Sequence, residues 1–213
     1  MAALNSKLLV VEGEDDKYAV IHLMQAHVDL GDKESDRKVN IEVAKGVDKI
    51  FKIEFISVRL KLNDILGIVI DADEDFASRW SGLRKLCLVD FPNLPEELPE
   101  RGLVAQNEDG KRLGVWIMPD NKSRGMLETF LQFLVPESEE PIWQEAQCAV
   151  VEAKAIGAKC HAPHMDKANV YTWMAWQDPP GQSFGRALMQ KILDPHANSA
   201  KPFIAWFREL FEI

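Results

Sequence analysis

The sequence contains little of what would assign it to several common protein classes. It has only three cysteines, Cys87, Cys148 and Cys160, and this small odd number argues against a disulfide-stabilised secreted domain. It has no apolar run long enough to span a bilayer, and its first residues, MAALNSKLLVVEG, lack the basic and cleavage regions of an export signal. We therefore expect a cytoplasmic protein with reduced thiols.

Basic residues are also scarce relative to acids. Lys and Arg total 25 against 34 Asp and Glu, which gives a formal net charge of −9. Such a chain does not bind phosphate backbones through a broad basic face, so any contact with nucleic acid has to be local. With 213 residues, 46% of them hydrophobic, the chain is long enough for one α/β domain and a small appendage.

Two segments each combine a short apolar run with acids at its end: LLVVEGEDDKY at 8–18 and ILGIVIDADED at 65–75. Continuous runs of this kind are typical of strands buried on both faces of a parallel sheet. Open α/β sheets bind ligands at the carboxyl edge of such strands. Clustered carboxylates repel one another, so Glu12, Asp71 and Asp73 at these strand ends predict a divalent cation.

The remaining patterns predict a mainly parallel sheet flanked by helices, followed by an all-helical tail. An Asp109-Gly110 turn between two apolar runs predicts an antiparallel hairpin at one sheet edge. The expected domains are an α/β core at 1–135 and a helical C-terminal subdomain at 136–213 packed on it. A further strand is expected at 39–44, on a sheet edge, and helices are expected near 15–27, 47–62, 75–88, 124–135, 138–156, 166–177, 183–192 and 200–212.

The order and separation of the two acidic motifs resemble the Toprim domain of topoisomerases, primases and nucleases of the overcoming-lysogenization-defect type. The first motif is Val11-Glu12-Gly13-Glu14-Asp15-Asp16 and the second is Val69-Ile70-Asp71-Ala72-Asp73. The resemblance covers roughly residues 5–135. The chain is similar to small stand-alone Toprim-like proteins of unknown function. It implies a Toprim-like α/β core with a site that binds Mg²⁺ or Mn²⁺.

The resemblance also implies roles for individual residues. Glu12 would ligate a cation, act in acid/base chemistry, or both, and Asp16 would help to hold a second metal. Asp71 and Asp73 are two apart, so an extended chain would project both to one side, towards hard cations. Glu128 matches a further metal-binding acid of the related nucleases, with Asp120 as a weaker candidate. Lys167, with Lys159 as its competitor, matches the lysine that neutralises charge on the phosphate.

Two smaller groups of residues are candidates for binding. Lys122 and Arg124, together with Lys111 and Arg112, are expected near strand ends beside the site as a local phosphate-binding patch. The Cys160-His161-x-x-His164 segment suggests zinc, but its spacing matches no standard finger or ribbon and a loop before a helix explains it better.

These features favour a Mg²⁺-dependent nuclease that cleaves DNA or RNA by two-metal catalysis. A topoisomerase needs a tyrosine nucleophile on a further domain, and Tyr18 and Tyr171 are the only tyrosines. A haloacid-dehalogenase-type phosphatase would carry its DxD motif on the first strand, which is not the case here. The open alternative is a non-catalytic Toprim module, acting as a sensor or interaction partner in phage defence; related nucleases often work beside an ATPase, so a partner ATPase is possible.

Overall fold

A computed structural model of the protein describes residues 6–213. Residues 1–5 lie outside the described residues. Part of the export-signal expectation and the start of the proposed core fall on them. The strands are β1 (Lys7–Val11), β2 (Asn40–Val43), β3 (Ile65–Asp71), β4 (Leu103–Gln106) and β5 (Arg112–Met118). The helices are α1 (Glu14–Gln25), α2 (Val47–Ile50), α3 (Ile53–Leu62), α4 (Phe76–Cys87), α5 (Leu127–Gln132), α6 (Glu140–Ala155), α7 (Met165–Ala175), α8 (Phe184–Met189) and α9 (Lys201–Phe211).

The five strands form one sheet in the order β2-β1-β3-β5-β4. The pairs β2/β1, β1/β3 and β3/β5 are parallel, whereas β4 and β5 form an antiparallel pair. The expected mainly parallel sheet with an antiparallel edge hairpin is confirmed, and β2 occupies the edge opposite that hairpin. The carboxyl ends of β1, β3 and β5 therefore meet at one edge of the sheet, which we call the carboxyl edge.

Alternation along the strands divides the buried residues into two layers. Leu8 and Val10 of β1 face one hydrophobic cluster, which includes residues of α2, α3 and α4. Leu9 and Val11 face the other, which includes residues of α1 and of the helices from α5 onwards. Because successive side chains of a strand point to opposite faces, a sheet with apolar residues at nearly every position has to be covered on both sides.

The helical tail packs directly against the sheet. Helix α9 crosses β3 and β5 where both strands carry a glycine, and a Cβ added at Gly114 would lie 2.2 Å from Cδ2 of Leu210. Trp206 donates from Nε1 to the carbonyl oxygen of Leu103 at 2.9 Å. Core and tail residues thus share one hydrophobic cluster, and the division into two domains at residue 135 stays a prediction.

The observed helix bounds differ from the expected ones by a few residues in several places, and two helices differ in kind. The expected helix at 47–62 is interrupted between α2 and α3. The expected helix at 124–135 begins only at Leu127, because Gly125 has a φ of +140° and pairs with Asp73 instead of joining a helix. Among residues 6–213, the longest helix has 16 residues, and none of the helices there has the length and apolar character needed to cross a bilayer.

Candidate functional site

The acid-bearing ends of β1 and β3 lie side by side. The parallel register pairs Val10 with Ile68, so Glu12 and Asp71 follow at adjacent positions of the carboxyl edge. Oε1 of Glu12 accepts a hydrogen bond of 2.9 Å from the backbone N–H of Asp71. Burial raises the pKa of Glu12 above its usual value, and this hydrogen bond offsets only part of that effect.

Asp71 points towards the face of the sheet covered by α1 and α5. It lies two residues after Val69, which packs in that hydrophobic cluster, and alternation directs both side chains to the same face. Its Oδ1 accepts a hydrogen bond of 3.0 Å from the N–H of Leu127, the first residue of α5. Burial, and then the negative charges of Asp16 and Glu12, raise the pKa of Asp71 well above its usual value.

Asp16 is buried in the first turn of α1. Its Oδ2 accepts a hydrogen bond of 3.0 Å from the N–H of Gly13, which caps the helix. Its Oδ1 is buried and has no hydrogen-bond partner in the described structure. Burial, followed by the charge of Glu12, raises the pKa of Asp16 to about 7. An oxygen in this position lacks the partner that buried polar atoms normally have.

Glu128 and Lys167 bring the helical tail into the same place. Glu128, in the first turn of α5, is 4% exposed, and its Oε1 lies 2.7 Å from Nζ of Lys167 on α7. Partial burial alone would lower the pKa of Lys167, but the hydrogen bond and charge of Glu128 outweigh it and raise that pKa. Thr129 donates from Oγ1 to Oδ2 of Asp166 at 2.7 Å, which fastens α7 to α5 beside the pair.

These side chains line a single cavity of about 470 Å³, which we call the acid cavity. Its wall carries two lysines, Lys45 and Lys167, and six acids: Glu12, Asp16, Asp71 and Glu128, which are buried or partly buried, and the exposed Glu14 and Asp15. Sequence reasoning missed Lys45, which follows the edge strand β2 with a φ of +61°. Its position directly after a parallel strand was the available signal, because all such strands end at the same edge.

The donors of the acid cavity suit a hard divalent cation, but they are not preassembled around one. All are carboxylate oxygens, the ligands that Mg²⁺ and Mn²⁺ prefer, and one of them, Oδ1 of Asp16, has no partner. Within residues 6–213, however, no three acidic, cysteine or histidine side chains already stand in an arrangement that could hold a metal ion. The reason is local: oxygens of Glu12 and Asp71 accept from backbone amides, and Glu128 holds Lys167.

Asp73 does not share this arrangement, so the expectation that it projects to the same side as Asp71 is wrong. The extended conformation ends at Asp71, and Asp73 has a left-handed φ of +52°. The backbone groups of Asp73 and Gly125 form two hydrogen bonds of 2.8 Å, and the side chain pairs with Arg79. Asp73 therefore lies at the rim, outside the residues that line the acid cavity, and its role as a ligand stays a prediction.

The expected basic patch is divided between the two ends of the sheet. Arg112 opens β5 opposite Ile65, the first residue of β3, so it lies at the far edge together with Lys111. The expectation that these two residues border the site is wrong, since β5 runs towards the carboxyl edge rather than away from it. Arg124 lines a cavity next to the acid cavity. Lys122 is exposed, pairs with Glu100 at 3.3 Å, and lines none of the cavities described.

The weaker candidates lie apart from the acid cavity. Asp120 accepts hydrogen bonds from the N–H groups of Lys122 and Ser123, so it stabilises its own turn. Lys159 is exposed on the segment before α7. Sγ of Cys160 lies 3.9 Å from Sδ of Met165, and no zinc arrangement involving this cysteine is found among residues 6–213.

A scan against protein-family models matched residues 6–212 to one family, described as a protein of unknown function, DUF3226. The chain belongs to the DUF3226 family. All residues that line the acid cavity of this DUF3226 protein fall within the match. Searches of curated proteins and of solved structures found no match.

Proposed function

We propose that this protein is a metal-dependent nuclease that hydrolyses phosphodiester bonds of nucleic acid at the acid cavity. One observation carries the proposal: four buried or partly buried carboxylates and Lys167 converge at the carboxyl edge, and Oδ1 of Asp16 is buried there without a partner in the described structure. Carboxylates grouped in this way repel one another and raise one another's pKa values, as for Asp71. A bound cation would remove that repulsion.

The metal that fits this donor set is Mg²⁺ or Mn²⁺. Glu12, Asp16, Asp71 and Glu128 would hold it, and Asp73 is the rim candidate. The ion would polarise a phosphoryl oxygen and lower the pKa of a bound water. Oε1 of Glu128 is paired with Nζ of Lys167, so a cation would be bound by Oε2 of Glu128 while the ion pair stays in place.

The residues around the phosphate would then have separate tasks. Lys167, which stays protonated because its pKa is raised, would place Nζ against the non-bridging oxygens of the phosphate and stabilise their developing charge. Glu12, whose pKa is raised by burial, is suited to accept a proton from the attacking water at Oε2, because Oε1 is bound to the Asp71 amide. Water attacks phosphorus and gives one proton to Glu12, the bond to the leaving oxygen breaks, and that oxygen takes up a proton from solvent water.

The test is cleavage of plasmid DNA, single-stranded DNA and tRNA with Mg²⁺ or Mn²⁺, monitored on gels. Wild type is expected to cleave at least one of them only when the metal is present, and Asp71→Asn is expected to abolish cleavage. The matched control is Glu145→Gln, which removes one negative charge from an exposed position on α6. Absence of cleavage by wild type under every metal, or equal cleavage by Asp71→Asn, would contradict the proposal.

One observation favours the alternative, a non-catalytic module that acts as a sensor or as an interaction partner, for example of an ATPase in phage defence. The Glu128–Lys167 ion pair already neutralises part of the cavity, so the fold can exist without a metal. For this alternative, wild type would show no cleavage, and Asp71→Asn would leave the binding of the partner unchanged.

A further inference from the structure

A second cavity, of about 490 Å³, lies beside the acid cavity. It is more enclosed than the acid cavity, and it lies between the loop that precedes α5 and the segment that leads into α7. Residues of its wall that matter for binding are Arg124, Met126, Pro163, His164, Met165 and Asp166. We call it the side cavity. Its volume falls within the range of about 300–1,000 Å³ that is typical of small-ligand sites.

At three places in the chain, residues that are adjacent or two apart in sequence line the side cavity and the acid cavity. Asp73 lines the side cavity, and Asp71 lines the acid cavity. Met126 lines the former and Leu127, whose N–H binds Asp71, lines the latter. On α7, Asp166 faces the side cavity and the next residue, Lys167, faces the acid cavity. A molecule whose phosphate lies in the acid cavity therefore has the side cavity as an immediate neighbour.

The walls of the side cavity combine apolar and polar groups. Met126, Pro163 and Met165 provide apolar contact surface. Arg124 is exposed at the rim, and no ion pair joins it to another residue in the described part of the chain. A guanidinium plane can stack on a base or bind its edge, and carboxylates accept from the ring N–H of thymine and uracil as well as from the exocyclic amino groups of other bases. This is the chemistry of a nucleobase, which has apolar faces and polar edges.

A phosphate fits the side cavity less well. Asp73, Glu74 and Asp166 all lie on its wall, so a second anion would meet negative charge. An enclosed cavity also does not admit a base that is still stacked and paired in a duplex.

We propose that the side cavity is a subsite for one unpaired nucleobase next to the scissile phosphate, so that the substrate class is single-stranded nucleic acid. This inference rests on the proposed nuclease function and extends it to the choice of substrate. Arg124 is then a residue that contacts the base rather than a general phosphate-binding residue.

The test compares oligonucleotides that carry the same phosphates with and without bases. Fluorescence anisotropy would measure the binding of labelled dT₁₂, U₁₂, an abasic 12-mer and a 12-base-pair duplex, with Ca²⁺ in place of Mg²⁺ to limit turnover. Stacking of one base is worth about 1–3 kcal/mol, so dT₁₂ or U₁₂ should bind roughly tenfold more tightly than the abasic strand and the duplex. The two pyrimidine strands together show whether the sugar is also distinguished.

A variant pair isolates the side cavity. Arg124→Gln is expected to reduce the preference for dT₁₂ over the abasic strand by about tenfold, because a hydrogen bond to a charged group is worth about 1.5–3 kcal/mol. The control is Lys85→Gln, which removes the same charge from an exposed site near the far end of α4, away from all described cavities. Because Arg124 is exposed, its replacement should leave the circular dichroism spectrum unchanged.

The two proposals fail in different ways. Metal-dependent cleavage combined with equal binding of base-bearing and abasic strands, or with a preference for duplex, would overturn the subsite and leave the nuclease proposal intact. Base-dependent binding that Arg124→Gln weakens, without cleavage under any metal, would overturn the nuclease proposal and support the base site.

Discussion

The two edges of the central sheet treat charge in opposite ways. At the edge where β1, β3 and β5 begin, which we call the amino edge, three cations have partners: Lys111 pairs with Asp64 at 2.9 Å, Arg112 pairs with Glu212, and Nζ of Lys7 lies 2.6 Å from a backbone carbonyl oxygen. At the carboxyl edge six carboxylates line one cavity, and within residues 6–213 they form one ion pair, that of Glu128 with Lys167. The charges at the amino edge are used in contacts that stabilise the fold, whereas the carboxyl edge retains negative charge in a partly buried place.

This difference indicates that the carboxyl edge contributes less to the stability of the folded protein than the amino edge does. A buried carboxylate near like charges disfavours the folded state unless a cation or proton is taken up. The amino edge instead carries α9, whose apolar residues pack on the two sheet glycines. Substitutions at the carboxyl edge should therefore change activity, and substitutions at the amino edge should change stability.

The largest expected effect separates the edges by activity. Glu12→Gln should lower the rate of metal-dependent cleavage by roughly 10²–10⁴-fold, because an amide can neither accept a proton nor bind a cation as a carboxylate does. Asp64→Asn, at the amino edge, should retain the wild-type rate. The measurement is the single-turnover rate on the substrate that wild type cleaves; similar rates for both variants would remove the functional distinction between the edges.

The next effect separates them by stability. Leu210→Ala should lower the free energy of unfolding by about 2–5 kcal/mol, since Leu210 is fully buried against the sheet and its removal leaves a cavity. Leu62→Ala, at a leucine that is 74% exposed, should change it little. Urea denaturation followed by tryptophan fluorescence measures both, and equal losses would show that α9 does not pack as described.

A smaller effect tests the repulsion among the carboxylates. In metal-free buffer near pH 7.5, Asp16→Asn should raise the melting temperature by about 2–6 °C, because it removes a buried charge near Glu12 while an amide oxygen can still accept from the N–H of Gly13. Saturating Mg²⁺ should cancel this advantage by stabilising wild type alone. Asp64→Asn should leave the melting temperature the same or lower it. A lower melting temperature for Asp16→Asn in the absence of metal would argue against repulsion at the site.

Much of the site could be predicted because parallel strands impose it. Glu12 follows β1 and Asp71 ends the adjacent parallel strand β3, and that alone brings them to one edge. Asp73 could not be placed in the same way, because the two-residue alternation on which its position depended ends where its backbone becomes left-handed. Arg112 was misplaced because the direction of the last strand decides which edge its first residue occupies.

Other features depend on packing that local patterns do not encode. Asp16 sits at a helix start, where an exposed capping acid and a buried one have the same sequence signal, and its burial follows from tertiary packing. The Glu128–Lys167 pair joins residues 39 positions apart and depends on how the tail docks. The side cavity forms between the loop before α5 and the segment before α7, which are far apart in sequence, so no contiguous motif predicts it.

The smallest expected effect concerns thiol reactivity at the far end of α4. Burial raises the pKa of Cys87 to about 12, so its thiol should stay unmodified by iodoacetamide at pH 8 in the folded protein. Cys148, which is exposed on α6, should react within the same time. Peptide mass spectrometry after short labelling measures both, and rapid labelling of Cys87 would show that the layer covering that end of the sheet opens.

Direct measurement of cation binding tests the central claim, that the carboxylates of the acid cavity form one cation site. Titration of Mn²⁺ at pH 7.5, followed by isothermal calorimetry, should give specific binding to wild type and to Asp64→Asn. Asp16→Asn, Asp71→Asn and Glu128→Gln should each weaken that binding by at least about tenfold, the loss expected when a group of the site is removed. Equal Mn²⁺ binding by all five proteins, or none by wild type, would contradict the account.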